Sequence, residues 1–498
     1  MKELILGIDI GTSACKLAVF HREKGLVTSV TETYPTYYPE NGWAEQDPED
    51  WWNAVRRGLS VLFDKGIRAE EIAVIGVDGQ SWGPVFLDEK GNVLTRTPIW
   101  QDTRSKIYLD DYTEKEKQNF FEVCGNPLQP GYATLKIRWV KEHEPDAFAK
   151  LHTLLLSSSF IVFRLTGVTV QDLSQAYAWH FFDMHTGSYR YDLAERFGID
   201  AGILPPVHDC QDIVGSIDKK TAELTGLAEG TPVIAGALDA ASANLGAGII
   251  HDGECQEQGG QAGGMSICTS EYRASPDLIL SFHVIPGKWL LQGGTIGGGG
   301  VLKWIARELG DYERHTIVDG GSVYDRLTAL AGEVPAGSNG LVFLPYMSGE
   351  RSPIWNPNAK GVYYGLDYSK TKGHMIRAAM EGVAYSVRHN LDAAEKVGCR
   401  ADSIRATGGS ANYALWTQMK ADILEKEVTV CNSDTTTVLG TAILAGVGAG
   451  LYAGYDEACN RLIRVEKRFT PDPSVQEVYR EGYETYLELY RSLKHLMV

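Results

Sequence analysis

A chain of 498 residues is too long for one hydrophobic core and implies two large domains. With 44% hydrophobic and 22% charged residues it has the balance of a soluble globular protein, and its net charge of −17 excludes nucleic acid and anionic membrane as main partners. No apolar run is long enough to span a bilayer, the start Met1-Lys2-Glu3 lacks a signal peptide's apolar core, and the eight cysteines form no Cys-x-x-Cys pair, so a cytoplasmic protein without zinc site or disulfide framework is expected.

Three strands are expected first, at residues 4–9, 16–20 and about 27–34. Between the first two stand Asp9-Ile10-Gly11-Thr12-Ser13. Gly11 lets the backbone approach an anion, the amides and hydroxyls of Thr12 and Ser13 can donate to phosphate oxygens, and Lys16 adds a point charge. Asp9 is placed to hold a magnesium ion through water. This is not the P-loop, which needs a following helix and a Gly-Lys-Ser/Thr ending. Taken alone, an ordinary hairpin accounts for so short a motif.

A helix should begin at Asp47-Pro48-Glu49-Asp50, with an aspartate cap, a first-turn proline and acids against the dipole. Residues 71–78 predict a strand buried on both faces that delivers Gly79-Gln80-Ser81-Trp82-Gly83 at its C-terminal end, where open α/β sheets bind ligands. The run Trp100-Gln101-Asp102-Thr103-Arg104 offers an apolar face, an amide, a carboxylate and a guanidinium to a polyol, or equally a structural Asp–Arg pair at a helix entry. Residues 160–167 fit either a strand or a helix. An apolar strand over 232–238 ends in Asp239, a carboxylate that is either working or an N-cap for the small-residue helix that follows.

The boundary falls at Gly248, giving domains of residues 1–248 and 249–498, and the second half repeats the pattern. Gly259–Ser266 is a candidate second phosphate hairpin, and Gly297–Gly300 opens a helix whose amides point at whatever lies there. A long helix over 374–397 and a strand over 403–407 lead to Gly408-Gly409-Ser410-Ala411-Asn412. A glycine pair at this strand–helix junction suits a flat adenine, or close packing of helix on sheet.

These motifs resemble the FGGY family of carbohydrate kinases over nearly the whole chain. The Gly7–Ser13 stretch matches that family's first phosphate loop, Leu344–Pro353 its second-domain loop and Gly408-Gly409 its adenosine motif. Gly361–Leu366 with His374–Glu381 matches its second signature. Gly131–His143, with Lys136 and Trp139, matches the first signature except that Ala133 replaces the usual proline, serine or threonine. Within the family, Gly125–Gly131 and Ile99–Asp102 lie nearest the xylulokinases.

The resemblance implies an α/β fold of two ribonuclease H-like domains, of the actin/Hsp70/hexokinase type, flanking a nucleotide-binding cleft. It implies ATP held through Gly11, Thr12, Ser13 and Lys16 from one side and Gly264, Met265 and Ser266 from the other. Gly299 would lie near the α-phosphate, with Gly408, Gly409 and Asn412 by adenosine. Asp9 would hold Mg2+, Asp239 would be the general base, and Gln80, Ser81, Trp82 and Asp102 would join Asp239 in holding the sugar. Trp82 stands where xylulokinases usually carry histidine, and Ala240 where they carry asparagine, which disfavours D-xylulose itself. The expected activity is phosphorylation of a ketopentose; ribulose, gluconate, other ketoses or polyols, and a non-catalytic sugar- or ATP-binding role remain open, as does a homodimer.

Overall fold

The computed structural model describes residues 2–317, 321–432 and 435–497, which build two seven-stranded mixed sheets. Strands β1 (Leu4–Ile10), β2 (Ala14–His21) and β3 (Gly25–Thr33) form the expected antiparallel meander. Helix α1 (Pro48–Asp64) starts as its sequence dictates, with the Asp47 carboxylate accepting from the Glu49 amide. Its face of Trp51, Trp52, Val55 and Leu59 is buried. The chain then enters β4 (Ile72–Gly79), parallel to β1 with Asp9 opposite Asp78. Val74 packs into one core and Ile75 and Val77 into another, so the strand is apolar on both faces.

Helix α2 (Ala133–His143) carries the first signature. The stretch left between strand and helix resolves as α3 (Ser157–Thr166), ended by Gly167 in the left-handed conformation. The strand expected over 232–238 is broken in two. Strands β6 (Pro232–Ile234) and β7 (Ala237–Leu238) both run parallel to β4, separated at Gly236, whose φ of 107° no ordinary side chain tolerates. With β5 (Ile213–Ser216) at the edge, the sheet order is β5-β6-β4-β1-β2-β3. Helix α4 (Asp239–Gly246) follows directly on β7.

The second half contains β8 (Glu254–Gly259), β9 (Gly263–Thr269), β10 (Ile279–Phe282), β11 (Trp289–Thr295), α5 (Gly299–Glu308), α6 (Lys372–Lys396), β12 (Ser403–Thr407), α7 (Ala414–Leu424), β13 (Val428–Cys431), α8 (Thr436–Gly448) and β14 (Val465–Phe469). Its order, β10-β11-β9-β8-β12-β13-β14, repeats the first sheet's plan of an antiparallel meander, two parallel strands and an antiparallel edge. Helix α8 packs on β1 and β4 of the first sheet. It crosses α4 where a Cβ on Gly246 would fall 1.8 Å from the Thr436 carbonyl oxygen, and one on Gly440 1.8 Å from that of Ser242. Only glycine permits that approach, and it brings a side chain of the second half to the floor of the first. No helix among the described residues is long and apolar enough to cross a membrane.

Candidate active site

Asp9, Asp78 and Asp239 influence one another's charge where β1 and β4 end and α4 begins. Burial raises Asp9 to about 6, against the pull of a hydrogen bond from Asp78 and the charge of Lys16, its partner across the hairpin. Asp78 is fully buried and held well above the usual carboxylate range, first by burial and then by the charge of Asp9. Thr441, from α8, donates to its Oδ2, while Oδ1 has no donor among the described residues. The charge of Asp9 opposes ionisation of Asp78, so the pair tends to retain a proton. Sequence reasoning gave Asp78 no role, because Thr441 lies 363 positions away.

Asp239 is the first residue of α4, half-buried, and its carboxyl is raised to about 7 by burial and by Asp9, opposed by the Ala240 amide, which donates to Oδ1 at 2.6 Å. The N-cap alternative fails, since Leu238 holds the cap position and no side chain caps the helix. A carboxylate that titrates near neutrality at a cleft is suited to taking a proton.

The first hairpin tip is tied to this centre. Tyr34 donates to the Gly11 carbonyl, and Gln46 Nε2 to the Thr12 carbonyl at 2.6 Å. Trp100 Nε1 donates to Thr12 Oγ1 at 3.0 Å, which leaves the hydroxyl's own proton free for an anion. Ser13 is exposed at the tip. Gln46 Oε1 accepts from Gln80 Nε2 at 2.7 Å, so the phosphate hairpin and the loop after β4 are one network.

In that loop Gln80 keeps a buried Oε1 without a donor. Ser81 is half-buried beside it. Trp82 adopts a positive φ of 66°, stacks on Tyr132 with centroids 4.1 Å apart and meets Tyr177 edge-on at 6.1 Å. The unforeseen organiser is Lys136 on α2. Fully buried, its Nζ donates to the carbonyls of Trp82 (3.1 Å), Ile99 (2.7 Å) and Gly131 (2.5 Å), and burial lowers it to about 7. One ammonium thus pins the three loops around the aromatic wall.

Asp102 requires a correction. It is completely buried; Oδ2 accepts from the Ala44 amide at 2.7 Å and from Arg104 Nε and a terminal nitrogen at 3.0 and 2.8 Å, and Oδ1 accepts from the Arg104 amide and Nε, both at 3.0 Å. Arg104 lies against the rings of Trp43 and Trp139, which meet edge to face, and also pairs with Glu45. Both carboxylate oxygens are therefore spent on holding the Trp100 loop, and Asp102 offers a sugar nothing.

The second hairpin shifts in register. Gly264, Met265 and Ser266 lie inside β9, hydrogen-bonded to β8 on one side and β11 on the other, so their amides are used by the sheet. The tip is Gly260-Gln261-Ala262. The amides expected at the start of α5 are also partly spent, Gly299 donating to the Gly260 carbonyl at 2.7 Å and Gly300 to that of Gln261 at 2.9 Å. Gly299 and Gly409 nevertheless share a pocket of about 290 Å³, whose lining includes Gly260, Gln261, Lys303, Tyr324, Tyr413 and Trp416. A Cβ on Gly409 would meet nothing within 4 Å, whereas one on Gly408 would fall 2.9 Å from the Gly259 carbonyl. Gly408 is therefore there for packing and Gly409 for access. Asn412 is exposed beyond them.

The first half thus sets the Gly11–Ser13 tip, the Gln80–Trp82 loop and Asp239 around Asp9, and the second sets the Gly260–Ala262 tip beside the pocket at Gly299 and Gly409. Residues 4–246 match the model of the FGGY family of carbohydrate kinases, N-terminal domain, and residues 267–449 that of its C-terminal domain. The chain is 30% identical to a xylulose kinase of Bacillus subtilis (strain 168) across 99% of this chain and 97% of that one. It is 31% identical to a gluconokinase of the same organism, again over 99% and 97%. The solved xylulose kinase of Rhodospirillum rubrum superposes with a TM-score of 0.91 at 31% identity, covering 99% of both chains.

Proposed function

Because the chain belongs to the FGGY family of carbohydrate kinases, which makes it an ATP-dependent sugar kinase, we propose that Asp239 activates a hydroxyl of a ketopentose for in-line attack on the γ-phosphorus of ATP. The observation that carries this reading is the Asp239 carboxyl at the start of α4, raised to about 7 by burial and by the charge of Asp9. The hydroxyl proton passes to Asp239 as the new O–P bond forms and the bond to the β,γ-bridging oxygen breaks, releasing ADP. Catalysis is then mostly positioning and charge neutralisation.

Gly11, Thr12, Ser13 and Lys16 approach the β- and γ-phosphates from the first half. Gly260, Gln261 and Ala262 take the place assigned to Gly264, Met265 and Ser266 on the opposite side, and adenosine occupies the pocket at Gly299 and Gly409. Asp9 is the residue to hold Mg2+. Among the described residues no three His, Cys, Asp or Glu groups form a metal cage, which fits an ion that keeps its waters and uses one or two carboxylates with phosphates. When bound, that ion neutralises charge on the phosphate oxygens. Domains of residues 1–248 and 249–498 close on the nucleotide and exclude water.

The acceptor is held by Gln80, whose buried Oε1 awaits a donor, by Ser81, and by the open side of Trp82. The similarity to xylulose kinases supports a five-carbon ketose. A second reading, an aldonate such as gluconate, is favoured by the 31% identity to a gluconokinase over 99% of this chain. Asp239→Asn should keep MgATP binding in calorimetry and lose sugar-dependent ADP release; an active variant would overturn the assignment.

A further inference from the structure

Resting on the kinase reading of this cleft, we propose that Arg351 is a ligand of the acceptor sugar, contributed to its pocket by the second half of the chain. Arg351 stands on a loop that is fixed rather than free. Ser352 Oγ accepts from the Gly294 amide at 2.6 Å and donates to the Gly294 carbonyl at 3.1 Å. Asn390 Nδ2 donates to the Ser352 carbonyl at 3.1 Å, and Glu350 Oε1 accepts from the amides of Ile296 and Arg351, both at 2.7 Å. The guanidinium lies flat on Gly294, where an added Cβ would fall 1.8 Å from one of its terminal nitrogens.

From there it reaches the sugar wall. Its central carbon is 5.9 Å from the centre of the Trp100 ring, and its charge acts on Tyr132 and Tyr177, the two aromatics that frame Trp82. Tyr132 and Tyr177 belong to the acceptor side of the cleft, while Trp100 donates to Thr12 and Gly294 pairs with Gly264 near the second hairpin tip.

Arg351 is half-buried, and no described carboxylate neutralises it through an ion pair. The two buried arginines among the described residues are neutralised, Arg104 by Asp102 and Glu45 and Arg377 by Glu381. Arg351 forms no ion pair with any described carboxylate, and its buried Nε lacks an acceptor. A buried guanidinium nitrogen without an acceptor is costly, and the planar fork, whose terminal nitrogens are not buried, suits two neighbouring oxygens, such as adjacent sugar hydroxyls. The acceptor supplies them, so the sugar site is complete only when both halves of the chain face it.

The test compares wild type, R351K and R351M, using the best acceptor from a panel of pentuloses, hexuloses, polyols and aldonates. We expect the acceptor KM to rise roughly 10- to 100-fold in both variants, the range of hydrogen bonds to a charged group, with the KM for ATP and the sugar-independent ATPase rate within about twofold. Calorimetric binding of the sugar without ATP should weaken in parallel. R351K keeps charge and approximate length, so it decides if R351M does not fold. An unchanged acceptor KM in R351K overturns the proposal. So does a fall in kcat at constant acceptor KM, which would place the guanidinium on the transferred phosphoryl group. A wild-type protein that binds sugar without phosphorylating it would refute the kinase reading, while the calorimetric comparison still decides Arg351.

Discussion

Replacing Asp239 with asparagine should make this protein more stable as it makes it inactive. Asp239 titrates at about 7 in the folded chain against an ordinary value of 3.8, so between those values the folded state binds more protons than the unfolded one. Stability from this group is therefore full at low pH and is lost as pH rises through about 7. At about 1.36 kcal/mol per pH unit, the penalty is on the order of 1–2 kcal/mol at pH 5 and on the order of 4 kcal/mol at pH 8. Asparagine never ionises and escapes it. Urea melts of both proteins at pH 5 and pH 8 should show the variant's advantage growing over that interval, while sugar-dependent turnover falls by roughly 10²–10⁴. Wild-type kcat/KM should rise as pH approaches about 7 and then level as Asp239 becomes ionised. A stability difference that does not change with pH would refute the buried-base reasoning, whatever the activity.

The first hairpin predicts that Thr12→Val weakens MgATP binding modestly and Gly11→Val nearly abolishes it, with sugar binding kept in both; calorimetry with each ligand checks this. The corrected register of the second hairpin predicts that Gly260→Val impairs MgATP binding strongly while Met265→Leu, within the sheet, leaves it unchanged. Lys136→Met leaves three buried carbonyls without their donor and should destabilise the fold by about 3–5 kcal/mol in denaturant melts, with a higher acceptor KM in whatever folds. Trp82→His with Ala240→Asn should shift preference toward D-xylulose, which the unaltered protein should use at least about tenfold less well than its best substrate, the effect of one lost hydrogen bond. D-Xylulose already ranking first in wild type would contradict this.

Features set by neighbouring residues were legible in the sequence. The β1–β2 hairpin, the Asp47 cap and the buried strand leading to Gln80 each follow from a local pattern, and the structure shows all three. Asp239 stood out because a lone acid ended an apolar run. The second hairpin misled because residues 259–264 are mostly glycine, with no alternation of polar and apolar side chains to say which residue turns. Asp102 and Arg104 read equally as ligands or as a pair, and only Trp43, Trp139 and Ala44 around them decide for the pair. The parts played by Asp78, Lys136 and Arg351 were not legible, for a common reason. Each acquires its meaning from partners far along the chain, Asp78 from Thr441, Lys136 from three loops and Arg351 from the opposite half of the cleft.

The central claim is that phosphoryl transfer depends on a sugar held beside Asp239. The direct measurement is ADP release from MgATP by the wild-type protein alone and with each member of a panel of pentuloses, hexuloses, polyols and aldonates, with the phosphorylated product identified by mass. The account predicts a low rate without acceptor, a large increase with one small group of related sugars, and one phosphate added per ADP formed. ATP turnover that no sugar accelerates, or ADP formed without a phosphorylated sugar, would contradict it.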